Sequence, residues 1–192
     1  MAKLDRDTVI SEALDLLDEV GLDGVSTRRL ATRLGVEQPS LYWHFRNKGE
    51  LLAAMAEAAM VPHATAPLPG PDERWQDWFL ENTRSFRRTL LLRRDGARLH
   101  AGLVPNGDLD RIAAKMEFLT QAGVPERDAQ FAMLAASRFT VGSVLEEQAD
   151  AQAAITAVGE SDALPPMDHT RAFEEGVALI VDGLARRVDP AP

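Results

Sequence analysis

Between residues 24 and 48 the chain gathers Arg28, Arg29, Arg33, Arg46 and Lys48 against the single acid Glu37. Interleaved with them stand Thr27, Gln38, Ser40, Tyr42, Trp43 and His44. These side-chain types suit a nucleic acid. An arginine such as Arg28 can donate two hydrogen bonds to guanine O6 and N7, and Gln38 can pair with adenine N6 and N7. Thr27, Ser40, Tyr42 and Lys48 suit phosphate oxygens, contacts that fix register without reading sequence. The rest of the chain is acidic: 21 Lys+Arg against 30 Asp+Glu give a formal charge of −9. Bulk positive charge is therefore excluded as the mode of binding, but a basic island on an acidic protein focuses a polyanion onto one face. The plainer reading of the same residues is a solvated charged surface.

Catalysis finds little to work with. There is no cysteine, which removes a disulfide scaffold, a thiolate metal site and a Cys nucleophile, and which suits a reducing cytoplasm. The histidines are His44, His63, His100 and His169, and no Ser-His-Asp set, HExxH or phosphate-cradling glycine loop accompanies them. The N-terminus lacks the apolar run of a signal peptide, and no stretch approaches the ~18 apolar residues of a membrane span. With 45% hydrophobic residues in 192, the chain can bury a sizeable core. The expectation is a cytoplasmic protein that is not an enzyme.

The elements that must position the basic island read as helices. Asp5 is placed to cap a helix with Val9, Ala13, Leu17 and Val20 on one face, stopped at Gly21. Ser26 caps a second, carrying Leu30, Ala31 and Leu34, with Gly35 at the C′ position. Gln38-Pro39 opens a third that runs to Phe45, since proline is favoured at a first helical position. Asn47 and Glu50 form a capping-box-like start to a fourth. A short helix, a turn at Gly35 and a second short helix make a helix-turn-helix, whose second helix enters the major groove.

Pro62, Pro67, Pro69, Gly70 and Pro71 then break the pattern, marking a joint between residues 1–60 and 61–192. Further helices are expected over about 73–92, 109–121, 125–153 and 168–188, with loops at Arg93–Gly96 and 160–166. Trp75, Trp78, Phe79 and Phe86 read as core ahead of pocket, and Glu146-Glu147 as a solvated face. Phe173, Val177, Ile180 and Leu184 form an apolar stripe expected between two subunits. No strand pattern occurs, so the fold class is all-α: an N-terminal three-helix domain and a C-terminal helical domain.

The run STRRLATRLGVEQPSLYWHFRNKGELL resembles the DNA-binding domain of the TetR family, most closely its tetracycline repressors. The likeness extends through LDRDTVISEALDLLDEVGLDGVS, WQDWFLENTRSFRRTLLLRRDGARLH, RFTVGSVLEEQ and FEEGVALIVDGL. It implies a homodimeric repressor that binds a palindromic operator and is released by a small-molecule effector. The family's operator-contacting positions fall on Thr27, Arg28, Gln38, Pro39, Tyr42, Trp43, His44 and Lys48, with Ser40 in place of a threonine.

For the ligand, the resemblance implies a tetracycline arriving as a magnesium chelate, with no obligatory cofactor otherwise. His100 matches the residue that holds the metal, and Glu146 the partner-subunit glutamate that holds a metal-bound water. Asn82, Phe86, Pro105 and Met133 match ligand-facing positions. Departures accompany them. The connecting-helix histidine falls on Ala64, with His63 one residue and about 100° away. Leu103 and Val104 stand for a threonine and an arginine, and Lys115 for a glutamine. The alternatives are a repressor with a metal-free effector, such as an acidic natural product attracted by Lys115, and a constitutive DNA-binding dimer. In the family the helix after Arg93–Gly96 rewinds with effector, which Gly96 and Gly102 would permit here.

Overall fold

A computed structural model describes residues 5–101, 108–156 and 167–188. Among them the secondary structure is helical throughout: α1 (Arg6–Val20), α2 (Thr27–Leu34), α3 (Lys48–Ala64), α4 (Trp75–Leu91), α5 (Gly96–Ala101), α6 (Leu109–Gln121), α7 (Glu126–Thr156) and α8 (His169–Val188), with 3-10 turns at Leu22–Gly24 and Gln38–Trp43. The chain divides into two compact units, Met1–Ala64 with Thr89–Pro105, and Thr65–Arg88 with Asn106–Pro192.

In the first unit the expected caps are present. Asp5 Oδ1 accepts from the Thr8 N–H at 2.7 Å, and Ser26 Oγ accepts from the Arg29 N–H at 3.2 Å. Gly35 ends α2 in the left-handed region at φ 66°, where a side chain would be strained. Asn47 Oδ1 takes the Glu50 N–H, while the Glu50 carboxylate reaches back to the Arg46 N–H rather than to that of Asn47. The apolar faces of α1, α2 and α3 then close over one core in which Val9, Ala13, Leu17, Leu30, Leu41 and Met55 are buried. Leu99 of α5 joins the same core.

Two expectations are corrected here. The segment after Pro39 is a 3-10 turn over Gln38–Trp43 and not an α-helix to Phe45. Its bonds include Ser40 N–H to Glu37 C=O at 2.9 Å and His44 N–H to Leu41 C=O at 3.0 Å, the tighter three-residue spacing that short segments adopt. The helix before the proline-rich joint continues through Pro62 to Ala64. So close to a C-terminus, the proline removes one hydrogen bond from a helix that is ending anyway.

The second unit has its own core, containing Trp75, Trp78 and Phe79 of α4, Leu119 of α6, Val124, Ala129 and Ala136 around α7, and Val181 and Leu184 of α8. The α4 aromatics are thus core. Phe173, Val177 and Leu184, expected between subunits, are 1%, 1% and 4% exposed, and Ile180 packs against the same core. Phe173 lies stacked on Phe139 with centroids 5.7 Å apart. The stripe is therefore filled within the protomer, and Leu179 of α8, at 73% exposure, is the large apolar residue that faces outward. Glu147 is not simply solvated either: Arg87 donates to it at 2.6 Å while lying over the Phe173 ring.

Candidate functional site

The basic island belongs to the first unit, and its cations are not equivalent. Arg33 is tied to Glu12 and Glu19 of α1, each at 2.7 Å, which holds its guanidinium charged but neutralises it locally. Arg29 donates to the Gly24 carbonyl at 3.1 Å, and Arg46 lies 3.8 Å from Glu50. Arg28 and Lys48 are exposed and form no salt bridge among the described residues. These two retain charge to offer a partner.

Beside them α2 and the 3-10 turn bring three polar side chains together. The Gln38 amide donates to Thr27 Oγ1 at 2.9 Å and lies 3.4 Å from the Tyr42 hydroxyl. Those bonds fix the glutamine from behind. The turn is anchored by Leu41 and Phe45, both buried, so the residues between them are turned outward. Trp43 is 90% exposed and Tyr42 49%. Large aromatic rings held in water on the turn between α2, which carries Arg28, and α3, which opens with Lys48, are placed to meet a flat or apolar partner surface. Pro39 is exposed and Ser40 and His44 are half-buried on the same turn.

The ligand-facing candidates are distributed over both units. In the first, His63 is half-buried on α3. His100 on α5 is half-buried, and burial lowers its pKa below the ordinary histidine value, favouring the neutral imidazole. It lines a small cavity with Ala56, Ala59, Met60, Leu90 and Leu99. Gly96 starts α5 for a steric reason: a Cβ there would lie 2.1 Å from the Leu90 carbonyl oxygen. That close approach requires a glycine here.

In the second unit Phe86 is buried, Met133 is partly buried against the core and Glu146 is exposed. Asn82 and Lys115 are joined: Lys115 Nζ donates to Asn82 Oδ1 at 2.7 Å. Lys115 is only 8% exposed, and burial with the nearby Arg111 charge lowers its pKa to about 8. Leu103, Val104 and Pro105 lie outside the described residues. Arg111, one helical turn before Lys115 on α6, is a further cation of this unit, and that i, i+4 spacing is its signal in the sequence.

A neutral imidazole at His100 is the form that ligates metal. Among the described residues no three His, Cys, Asp or Glu side chains gather to hold an ion. A neutral imidazole is a donor that a divalent cation carrying oxygen ligands of its own could take.

Residues 9–55 match the family of bacterial regulatory proteins called tetR, and residues 66–161 match the tetracyclin repressor-like C-terminal domain. The tetracycline repressor protein class A from transposon 1721 of Escherichia coli is 48% identical, over 97% of this chain and 93% of that protein. A TetR-family transcriptional regulator from Streptomyces coelicolor has a solved structure 67% identical in sequence, with a TM-score of 0.77, covering 98% of this chain and 99% of the other. The class A TetR in complex with 5a,6-anhydrotetracycline and magnesium is 46% identical, with a TM-score of 0.80 over 96% of this chain and 99% of that one. No described helix is long and apolar enough to cross a membrane. The chain belongs to the tetR family of bacterial regulatory proteins, as a dimeric, ligand-responsive repressor that binds operator DNA.

Proposed function

We propose that a homodimer of this chain binds a palindromic operator, with half-sites about one helical turn (~34–36 Å) apart, and that an effector releases it. The observation that carries this reading is the outward-facing Tyr42–Trp43 pair on the turn that also holds Gln38, between the helices that carry the exposed Arg28 and Lys48. In it residues 1–60 serve DNA and 61–192 serve effector and dimerisation. Gln38 and Arg28 read base edges. Thr27, Ser40, Tyr42 and Lys48 hold phosphates, while Pro39, Trp43 and His44 pack on sugar and base surfaces. The chain acts by binding and not by catalysis, in the cytoplasm where its operator lies. Selection from a random duplex pool, followed by anisotropy titration of the recovered sequence, tests it. A recovered sequence without two-fold symmetry, or equal affinity for random DNA, would refute it.

For the effector, similarity to the class A repressor and the burial-lowered pKa of His100 support a tetracycline bound with magnesium. His100 would hold the metal directly, and a glutamate of the second subunit, Glu146 in this sequence, a metal-bound water. Asn82, Phe86, Met133 and Pro105 would face the ligand, together with His63, Leu103 and Val104. The bound cation would lend the chelate its charge and rigidity. Loss of the polar partners at Ala64, Leu103 and Val104 removes hydrogen bonds of about 0.5–1.5 kcal/mol each, so affinity for a tetracycline falls below that of a dedicated repressor.

A further inference from the structure

We infer that Thr27 is a positioning residue for base reading: its hydroxyl, with that of Tyr42, holds the Gln38 amide in the pose that meets a base edge. The inference rests on the operator-binding reading above and adds sequence specificity to the phosphate role that Thr27 and Tyr42 have in it. Thr27 is the first residue of α2, directly after the Ser26 cap, and Gln38 is the first residue of the 3-10 turn. Eleven positions apart in the chain, the two meet where the turn packs on α2. The Gln38 amide nitrogen donates to Thr27 Oγ1 at 2.9 Å and has the Tyr42 hydroxyl, four residues further on, at 3.4 Å.

The two supports differ in stiffness and strength. Thr27 is half-buried and β-branched, which restricts its χ1. Tyr42 is 49% exposed and its contact is long for a hydrogen bond, so Thr27 is the stronger of the two. The backbone under Gln38 is fixed separately, by Pro39 and by the buried Leu41. A glutamine left free in water would lose the entropy of three side-chain torsions on meeting a base. The bonds to Thr27 and Tyr42 freeze those torsions before DNA arrives. Such pre-organisation acts on discrimination. An amide held in place cannot swing to satisfy a wrong base, and its polar atoms are left unpaired there. A phosphate contact, by contrast, contributes equally to every sequence. A hydroxyl that accepts from Gln38 keeps its own hydrogen to donate, so Thr27 serves a phosphate and Gln38 at once. The two roles separate by which sequences suffer when the hydroxyl is removed.

The test uses the full-length dimer, the duplex recovered by selection, and duplexes in which each base pair of a half-site is changed in turn. Gln38→Ala locates the pair that Gln38 reads, as the one where discrimination falls. Thr27→Val removes the hydroxyl and keeps the shape. It is expected to lower discrimination at that same pair by about twofold to tenfold, leaving the pair read by Arg28 unchanged. In the Gln38→Ala background it should have no such effect. Thr27→Ser should restore the discrimination, and Tyr42→Phe should produce a smaller loss. Circular dichroism confirms that each variant folds. A Thr27→Val loss that is uniform over all pairs, or one that persists at that pair in the Gln38→Ala background, overturns the positioning role alone. A Gln38→Ala variant weakened equally at every pair refutes base reading by Gln38, and the positioning role with it.

Discussion

Asp95 Oδ2 accepts a hydrogen bond of 2.7 Å from the backbone N–H of Leu22, a residue 73 positions earlier in the chain. Asp95 is also the one described non-glycine residue with a positive φ, 55°, and lies 3.5 Å from Arg98. Around it Arg93 bonds Asp18 at 2.6 Å, the Arg94 N–H bonds Asp18 at 2.9 Å, and Arg98 bonds Asp23 at 3.0 Å. The turn before α5 is thereby fastened to the end of α1. Asp95→Asn keeps an acceptor and tolerates the left-handed backbone, so it should cost little. Asp95→Ala loses the acceptor for Leu22 and strains the turn, at about 2–4 kcal/mol. Denaturant unfolding of the two variants measures the difference, and equal stabilities would remove the role given to the bond.

Arg28 and Lys48 should fail in different ways. Arg28→Ala should cost roughly 1–3 kcal/mol on operator and relax specificity at one G·C pair, whereas Lys48→Ala should weaken all sequences alike and lower the salt slope. Anisotropy titrations on operator and random duplexes separate them. If both variants lost the same affinity on both duplexes, base reading by Arg28 would be disproved.

Dimerisation is expected to depend on the outer face of α8. Leu179→Asp places a charge on a side chain that is 73% exposed in the protomer, and should yield a monomer with much weaker operator binding. Asp at Val177 would instead unfold the second unit, because that position is inside the core. Light scattering and circular dichroism together distinguish the outcomes, and a Leu179→Asp protein that stayed dimeric would exclude this face.

Tetracycline binding, if chelated, should need Mg²⁺ and vanish on adding EDTA. His100→Ala should abolish the metal-dependent part. Titration calorimetry in the two buffers decides the matter: binding indifferent to EDTA is inconsistent with a chelate held at His100.

Lys115 gives stability a defined pH dependence. Its folded pKa is lowered from 10.5 to about 8, so between these values the unfolded chain binds a proton that the folded chain does not. Stability should therefore rise with pH across that window, while below about pH 8 the whole cost of burying the charge is present. Lys115→Met should stabilise the protein at pH 7 and flatten the rise. Melting curves at pH 7 and 9.5 test this, and an unchanged slope in the variant would assign it to other groups.

Local signals proved the most legible part of the sequence. Asp5, Ser26, Gly35 and Asn47 act as caps because a cap depends on a few neighbouring residues, which are adjacent in the chain. Periodicity reveals the apolar face of α8 and not what covers it, which is the protomer's own core, with Phe139 of α7 stacked on Phe173. Likewise, composition counted Arg33 among the island's charges, but Glu12 and Glu19 reach it only once α1 packs on α2. That Lys115 meets the Asn82 amide, with no carboxylate in salt-bridge reach among the described residues, depends on which helices surround α6, and a single sequence carries no trace of it.

The three tryptophans occupy two contrasting environments. Trp75 and Trp78 are sealed in the second unit, at 6% and 4% exposure, whereas Trp43 stands almost fully in water. Their emission should divide accordingly, with a red-shifted component from one indole and a blue-shifted component from two. Iodide should quench the red component and spare the blue one. Because the solvent-facing indole sits where the operator is expected, its light doubles as an unlabelled optical gauge of DNA occupancy, read against an internal standard within the same molecule.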